Sequence, residues 1–237
     1  MLNVLVSKIY KALFLRGEDI EAKRVHIIVK FMFLVIGLVS IYMGYYITSI
    51  FSILVIFLLS LYYGLKSEYI SSIIIASIPA LWLALTNFIV VFFIKSIIDV
   101  NAILIVFIKV ISATLIILWF MFILTPIELY NIIIKLRRGN PVYPLLTWRL
   151  IPLGLREVEE SYIIQRMKGE PIWKSLAIST ASMIERGDKI VEANVHKLSI
   201  KLNKPLPYKY LLKPTLIFIA VTFSIVVISI LEYLNLI

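Results

Sequence analysis

Five long apolar runs, separated by short polar breaks, constrain the fold of this chain more than any other feature of its sequence. They span Phe31–Ile47, Ile50–Leu65, Tyr69–Ile94, Ala102–Leu124 and Leu211–Leu231. A helix rises about 1.5 Å per residue and the hydrocarbon core of a bilayer is about 30 Å thick, so roughly 20 apolar residues cross it. With 61% hydrophobic residues and a mean hydropathy of +0.99, the chain is too apolar for a soluble globular domain. We therefore predict an all-α, polytopic membrane protein with about five transmembrane helices.

Three details qualify these runs. The first two form a tight pair, broken only around Tyr46–Ser49, because one continuous span of that length is excluded. The third contains Pro79 and Asn87, which allow either a kinked span or a broken helix. Lys109 lies inside the fourth, where a central charge costs about 2.5–3.5 kcal/mol on insertion scales. Both snorkelling and a polar pocket within the bundle remain open for this lysine.

Basic residues indicate the orientation of the chain in a cell membrane. The first 30 residues are rich in lysine and arginine and place apolar side chains on one helical face, which predicts an interfacial amphipathic helix and not a cleaved signal peptide. Positive residues gather in cytoplasmic loops, so we predict a cytoplasmic N-terminus and four crossings before Thr125. Lys95 is then the one basic residue in an external loop.

The stretch Thr125–Lys213 differs from the rest of the chain. It holds 15 basic and 8 acidic residues, hence +7 of the formal net charge of +10. Helix breakers divide it into three amphipathic helices, predicted at Pro126–Arg138, Leu145–Lys168 and Ile172–Leu202. The predicted domains are residues 1–124 with four spans, a cytoplasmic coupling-helix domain at 125–210, and a last span within 211–237.

Several classes of function lack their sequence signals. The chain has no cysteine, two histidines, no Gly-rich phosphate loop and no His-Glu-x-x-His pattern, and its aspartates stand singly at Asp19, Asp99 and Asp188. We therefore predict no cofactor, no metal site, no nucleic-acid partner and no catalytic activity. Two alternatives stay open: a membrane-embedded enzyme using the Glu157–Glu160 cluster, and a scaffold whose basic insert binds anionic lipids.

The order of short motifs in the insert resembles one family, the transmembrane T component of energy-coupling factor (ECF) transporters, which are ABC importers. The motifs, in sequence order, are Thr125-Pro126 with Glu128-Leu129, Arg149 through Pro152, Glu157 through Glu160, Ile164 through Gly169, Arg186-Gly187-Asp188, and Ala193 through Leu198. The family ends two of its helices in an Ala-Arg-Gly type of motif, where this chain has Met167-Lys168-Gly169 and His196-Lys197-Leu198. Lysine keeps the charge but loses the planar fork of arginine.

This resemblance implies a coupling subunit that binds neither ATP nor solute. Its partners would be two cytoplasmic ABC ATPase subunits, a substrate-binding integral membrane subunit for a vitamin or transition metal, and the lipid bilayer. The implied ATPase-docking residues are Gln165, Arg166, Met167, Lys168, Gly169, Ala193, His196, Lys197 and Leu198. The residues implied to shape the coupling domain are Thr125, Pro126, Arg149, Pro152, Glu159 and Arg186.

Overall fold

The structure, a computed structural model, describes most of the chain outside the middle of the insert. The described residues are 20–95, 100–136 and 207–234, and, between them, 160, 163–165, 167–169, 171, 173–174, 177–178, 180–182, 184–185 and 189. They are predominantly helical and include no strand. The chain divides into two compact units, Lys11–Leu124 with Lys209–Ile237, here the bundle, and Met1–Tyr10 with Thr125–Tyr208, here the insert.

The described helices follow the apolar runs closely. In the bundle, a 3₁₀ turn, Glu21–Arg24, is followed by four helices: α1 (Ile27–Met43), α2 (Tyr46–Tyr62), α3 (Lys66–Lys95) and α4 (Val100–Ile123). The insert begins with α5 (Pro126–Leu136), and α6 (Leu212–Tyr233) belongs to the bundle again. The all-helical fold predicted from the apolar periodicity is thus confirmed for the described residues.

Contacts between helix ends show that the bundle helices alternate in direction. His26 N donates to Thr215 Oγ1 and Ser229 Oγ donates to the Ser40 carbonyl, so α1 and α6 run parallel. Lys30 Nζ reaches the Ile123 carbonyl while Lys109 Nζ reaches that of Tyr42, so α4 runs antiparallel to α1. α2 is antiparallel to α6, because Glu232 meets its first turn and Lys213 lies over the ring of Tyr62. α3 begins beside the end of α4, where Tyr69 and Trp119 line one small cavity.

Because the helices alternate in direction, several basic residues of the bundle lie together at one of its two ends. One end, here the basic end, carries Lys23, Arg24, Lys30, Lys66, Lys209 and Lys213 beside Glu21 and Glu68. The other end, here the far end, holds the α1–α2 turn, the start of α4 and the last turn of α6. By the positive-inside rule, such an asymmetry predicts that the basic end faces the cytoplasm.

The breaks between helices lie close to, but not always at, their predicted positions. α1 stops at Met43 and α2 starts at Tyr46, so the break falls at Gly44-Tyr45 and not within Tyr46–Ser49, whose residues are helical. α2 and α3 are joined at Gly64, whose φ of +71° is one that residues with a side chain rarely adopt. α3 continues through Pro79 for 30 residues, so the broken-helix alternative for this run is wrong.

Aromatic and small side chains together fill the bundle core. Phe33 and Phe218 pack edge to face with their ring centroids 5.5 Å apart, and Trp119 lies 6.3 Å from Phe218. Gly37 allows α1 and α4 to approach closely, because a Cβ there would lie 2.9 Å from Ile116 Cδ1. Buried Ser52 and Thr222 each donate to the carbonyl four residues earlier, so their hydroxyls are satisfied within their own helices.

Three of the described helices are long and apolar enough to cross a membrane: Lys66–Phe93 within α3, Val100–Ile123 and Leu212–Tyr233. α1 and α2 are equally apolar but have 17 residues each. The chain therefore has the helices of a multi-pass membrane protein.

Candidate functional site

The insert begins with a helix start that is specified by three residues, Thr125, Pro126 and Glu128. Pro126 is the first residue of α5, a position that needs no N–H donor. Glu128 Oε2 accepts from Thr125 N at 3.0 Å and from Thr125 Oγ1 at 2.9 Å, and Glu128 N donates to Thr125 Oγ1 at 3.4 Å. This reciprocal pairing is a capping box, and it fixes where the chain turns into the insert. Both side chains are buried, with Glu128 only 1% exposed.

A second helix end lies at the first predicted docking motif. Residues 163–165 and 167 are helical, Lys168 N donates to the Ile164 carbonyl at 3.2 Å, and Gly169 has a φ of +80°. A glycine in this conformation ends helices, so the predicted stop at Gly169 is confirmed. Met167 is 83% exposed and Lys168 is also exposed, whereas Gln165 is half-buried. The end thus presents an apolar side chain beside a cation, at the pole of the helix dipole that favours positive charge.

Many of the predicted site residues fall where the structure gives no description. Arg166, Ala193, His196, Lys197 and Leu198 of the docking set, and Arg149, Pro152, Glu159 and Arg186 of the structural set, lie outside the described residues. Residues 1–19 of the predicted N-terminal interfacial helix do so too, whereas its last residues form the 3₁₀ turn Glu21–Arg24 and the first turn of α1. The docking role of these residues therefore stays a prediction. Of the Glu157–Glu160 cluster, only Glu160 is described, as an exposed helical residue.

Lys30 is a buried cation at the basic end of the bundle, although the sequence predicts it within the N-terminal interfacial helix. It lies in the first turn of α1, is 0% exposed, and donates to the carbonyls of Lys23 at 2.6 Å and Ile123 at 2.7 Å. Ile123 is the last residue of α4, so its carbonyl has no partner further along that helix. The ammonium therefore joins the end of α4 to the 3₁₀ turn, two residues before Thr125 opens the insert.

Glu232 has the complementary role at the far end. Its Oε1 accepts from Ile47 N at 2.8 Å, and its Oε2 accepts from Thr48 N at 3.0 Å and Thr48 Oγ1 at 2.6 Å. These amides belong to the first turn of α2, where the helix dipole favours an anion. A carboxylate from α6 thus caps α2, and the buried polar surface of both partners is satisfied.

Lys109 also contacts a helix end at the far end of the bundle. Its Nζ lies 3.5 Å from the Tyr42 carbonyl, in the last turn of α1, and 5.9 Å from the ring centroid of Tyr45. Tyr42 and Tyr45 are both exposed and Lys109 is half-buried, so of the two outcomes left open by the sequence this contact matches snorkelling towards the helix end and not a pocket inside the bundle. A cation therefore approaches the C-terminus of α1 while an anion caps the N-terminus of α2, both with the sign that each helix end favours.

One phenol at the basic end has an altered acidity. Burial, assisted by the neighbouring Tyr62 and Glu21, raises the pKa of Tyr63 to about 12. Its hydroxyl is buried and makes no hydrogen bond to any described residue. The raised pKa keeps the buried phenol of Tyr63 neutral well above the physiological pH range.

The described residues contain no group of three or more His, Asp or Glu side chains that could hold a metal ion. The buried charged side chains Lys30 and Glu232 instead meet the ends of neighbouring helices, and their contacts link those helices to one another.

The sequence signals for these residues differ in strength. Thr125 and Glu128 stand at the Ser/Thr-x-x-Glu spacing that identifies a capping box, so the sequence alone could have assigned it. Ionisable residues at the rims of apolar runs, such as Lys30 and Glu232, are candidates for buried partners by general rule. One partner of Lys30, the Ile123 carbonyl, lies 93 residues away, and the amides that meet Glu232 lie 185 and 184 residues away, so no local pattern reveals these contacts.

Scanning the chain against protein-family models, curated proteins and solved structures yields no match in any of the three sets.

Proposed function

We propose that this protein is the transmembrane coupling subunit of an ECF-type ABC importer, located in the cell membrane with its insert in the cytoplasm. In this role it would transmit the ATP-driven movement of two ABC ATPases to a separate substrate-binding membrane subunit. The observation that carries the proposal is the helix end at Ile164–Gly169, where Met167 and Lys168 are exposed beside a glycine that stops the helix.

Two further features support this function. The bundle ties its helix ends together through buried charges, as a subunit that transmits movement requires. The capping box at Thr125 gives the insert a fixed starting point directly after α4. In the proposed arrangement all five apolar helices cross the membrane, and the three amphipathic helices of the insert form the coupling domain.

Docking at the helix end would combine an apolar and an electrostatic contact. Met167 would enter an apolar groove on the ATPase, and the Lys168 ammonium would meet an acidic residue at its rim. Because the cation lies at a helix C-terminus, the helix dipole stabilises its charge and does not oppose it.

The test is purification of the tagged full-length chain from its native membranes in mild detergent. We expect ABC ATPase subunits to copurify with it. Lys168→Glu should weaken the association roughly 30-fold or more, since loss of one partner of a buried charge pair costs upwards of about 2 kcal/mol. Lys174→Glu is the matched control, because it makes the same change in net charge at another exposed position.

The outcomes separate the function from the site. Absence of any ATPase from the wild-type preparation would contradict the coupling function and favour the lipid-binding scaffold or the enzyme. Undiminished copurification with both variants would keep the function and reject Lys168 as a docking residue. The function and the docking site both hold only if wild type and Lys174→Glu retain the ATPases while Lys168→Glu binds them more weakly.

A further inference from the structure

An exposed apolar stripe lies on the part of the insert that follows Pro171. Residues 173, 174, 177, 178, 180–182, 184, 185 and 189 are helical. Trp173, Ala177, Thr180 and Ile184 are spaced by four, three and four residues, so they share one face of a helix. Trp173 is 83% and Ile184 65% exposed. Thr180 Oγ1 donates to the Ala177 carbonyl at 2.9 Å, which lets this residue lie against an apolar surface.

The opposite side of the same segment is more polar, and it consists of Ile178, Ser182, Glu185 and Lys189. Lys189 Nζ contacts Glu185 Oε1 at 2.7 Å, and both side chains are 70% exposed. The segment therefore exposes an apolar face and an ion pair together, whereas a helix packed on a protein core would bury the apolar face. This is the pattern of a helix lying at a boundary between water and an apolar phase.

The two attachment points of the insert lie at the same end of the bundle. The end of α4 is bound through Lys30, which donates to both the Ile123 and Lys23 carbonyls. The start of α6 is bound to the same 3₁₀ turn, since Leu211 N donates to the Arg24 carbonyl at 2.9 Å. The insert thus leaves and re-enters the bundle at one end, the basic end, where lipid headgroups surround a membrane protein.

We propose that the stripe formed by Trp173, Ala177, Thr180 and Ile184, here the tryptophan stripe, docks into the headgroup–acyl boundary of the membrane. Tryptophan is enriched at this depth, because its ring is apolar while its N–H can still reach water. The net charge of +7 carried by Thr125–Lys213 favours the anionic cytoplasmic leaflet. This inference concerns a different surface from the helix end at Lys168, and it does not depend on ATPase docking.

The absence of cysteine from the sequence makes the test direct. Ala177→Cys and Ser182→Cys place a nitrobenzoxadiazole label on the stripe and about half a turn away from it, respectively. Each full-length variant is reconstituted into nanodiscs of mixed neutral and anionic lipids. Some of these lipids carry a doxyl quencher high on the acyl chain, and aqueous iodide serves as the second quencher.

We expect the label at position 177 to emit at shorter wavelength, to lose intensity with doxyl lipid and to resist iodide. The label at position 182 should show the reverse. Trp173→Glu alters an exposed side chain and so removes no core packing. This variant should make the label at position 177 accessible to quenching by iodide. If the 177 label is instead open to iodide in the isolated chain and protected only when other subunits are present, the stripe binds protein and the proposal is wrong. Equal doxyl quenching at both positions would also overturn it.

Discussion

Lys30 and Glu232 are both buried, and each side chain hydrogen-bonds to backbone groups at the end of a neighbouring helix. Removing such a group does not simply subtract one contact, because the backbone groups that it satisfied stay buried without a partner. Their effects on stability should therefore exceed those of the exposed charges by a wide margin.

For Lys30 we predict that Lys30→Met lowers the free energy of unfolding by about 2–6 kcal/mol, since the carbonyls of Ile123 and Lys23 lose their donor at roughly 1–3 kcal/mol each. Chemical or thermal unfolding of the purified full-length chain in detergent measures the change. Lys66→Met, which alters an exposed lysine at the same end of the bundle, is the control and should change stability little. Equal stabilities of the two variants would show that the Lys30 contacts contribute nothing.

For Glu232 we predict that Glu232→Gln, which keeps the shape but not the charge, destabilises by about 1–3 kcal/mol. An amide NH₂ would then face the N–H groups of α2 in place of an acceptor oxygen. Thr48→Val should cost less, because the two backbone bonds remain. The reference is Glu185→Gln, whose exposed ion pair contributes at most about 1 kcal/mol. A Glu232→Gln effect no greater than that of Glu185→Gln would refute the capping role.

At the scale of single elements, the capping box at Thr125 determines how firmly α5 starts. We predict that Thr125→Ala costs about 1 kcal/mol of local stability and speeds hydrogen exchange in the first turn of α5. Thr125→Ser keeps the hydroxyl and should restore most of the protection. Hydrogen-exchange mass spectrometry of peptides covering 124–134 measures both. Identical exchange in the alanine and serine variants would mean that packing, and not the cap, holds this turn.

Helices of this chain could be predicted from sequence more reliably than their contacts. Apolar runs of 16 to 26 residues define helices with little ambiguity, and Pro126 and Gly169 mark a start and a stop through backbone chemistry that is local. The α1–α2 break was misplaced because the signal came from Tyr46–Ser49, whereas Thr48 and Ser49 serve as buried helix residues. The partners of Lys30, Lys109 and Glu232 depend on the packing of distant helices, which no periodicity encodes.

For the whole molecule, the alternating directions of the bundle helices predict which ends face which side of the membrane. We expect the basic end to be cytoplasmic and the far end external, with all five apolar helices crossing. In single-cysteine variants of the full chain, an impermeant maleimide should label Tyr46→Cys in intact cells. Ser67→Cys and Lys209→Cys should be labelled only after permeabilisation. Labelling of all three positions from one side would rule out the five-span arrangement.

The length of α1 and α2 has a consequence for the surrounding lipid. Seventeen residues span about 25 Å, some 5 Å less than an average hydrocarbon core, and tilting would shorten the reach further. The two helices cannot extend into their connections, because Glu232 fixes the start of α2 and Lys30 fixes the first turn of α1. If both helices cross the membrane, as in the proposed five-span arrangement, we expect the bilayer to thin beside this hairpin, at a cost of fractions of a kcal/mol per Å of mismatch. Hydrophobic mismatch would then make this protein sensitive to local membrane thickness and favour its residence in thinner or more deformable bilayers.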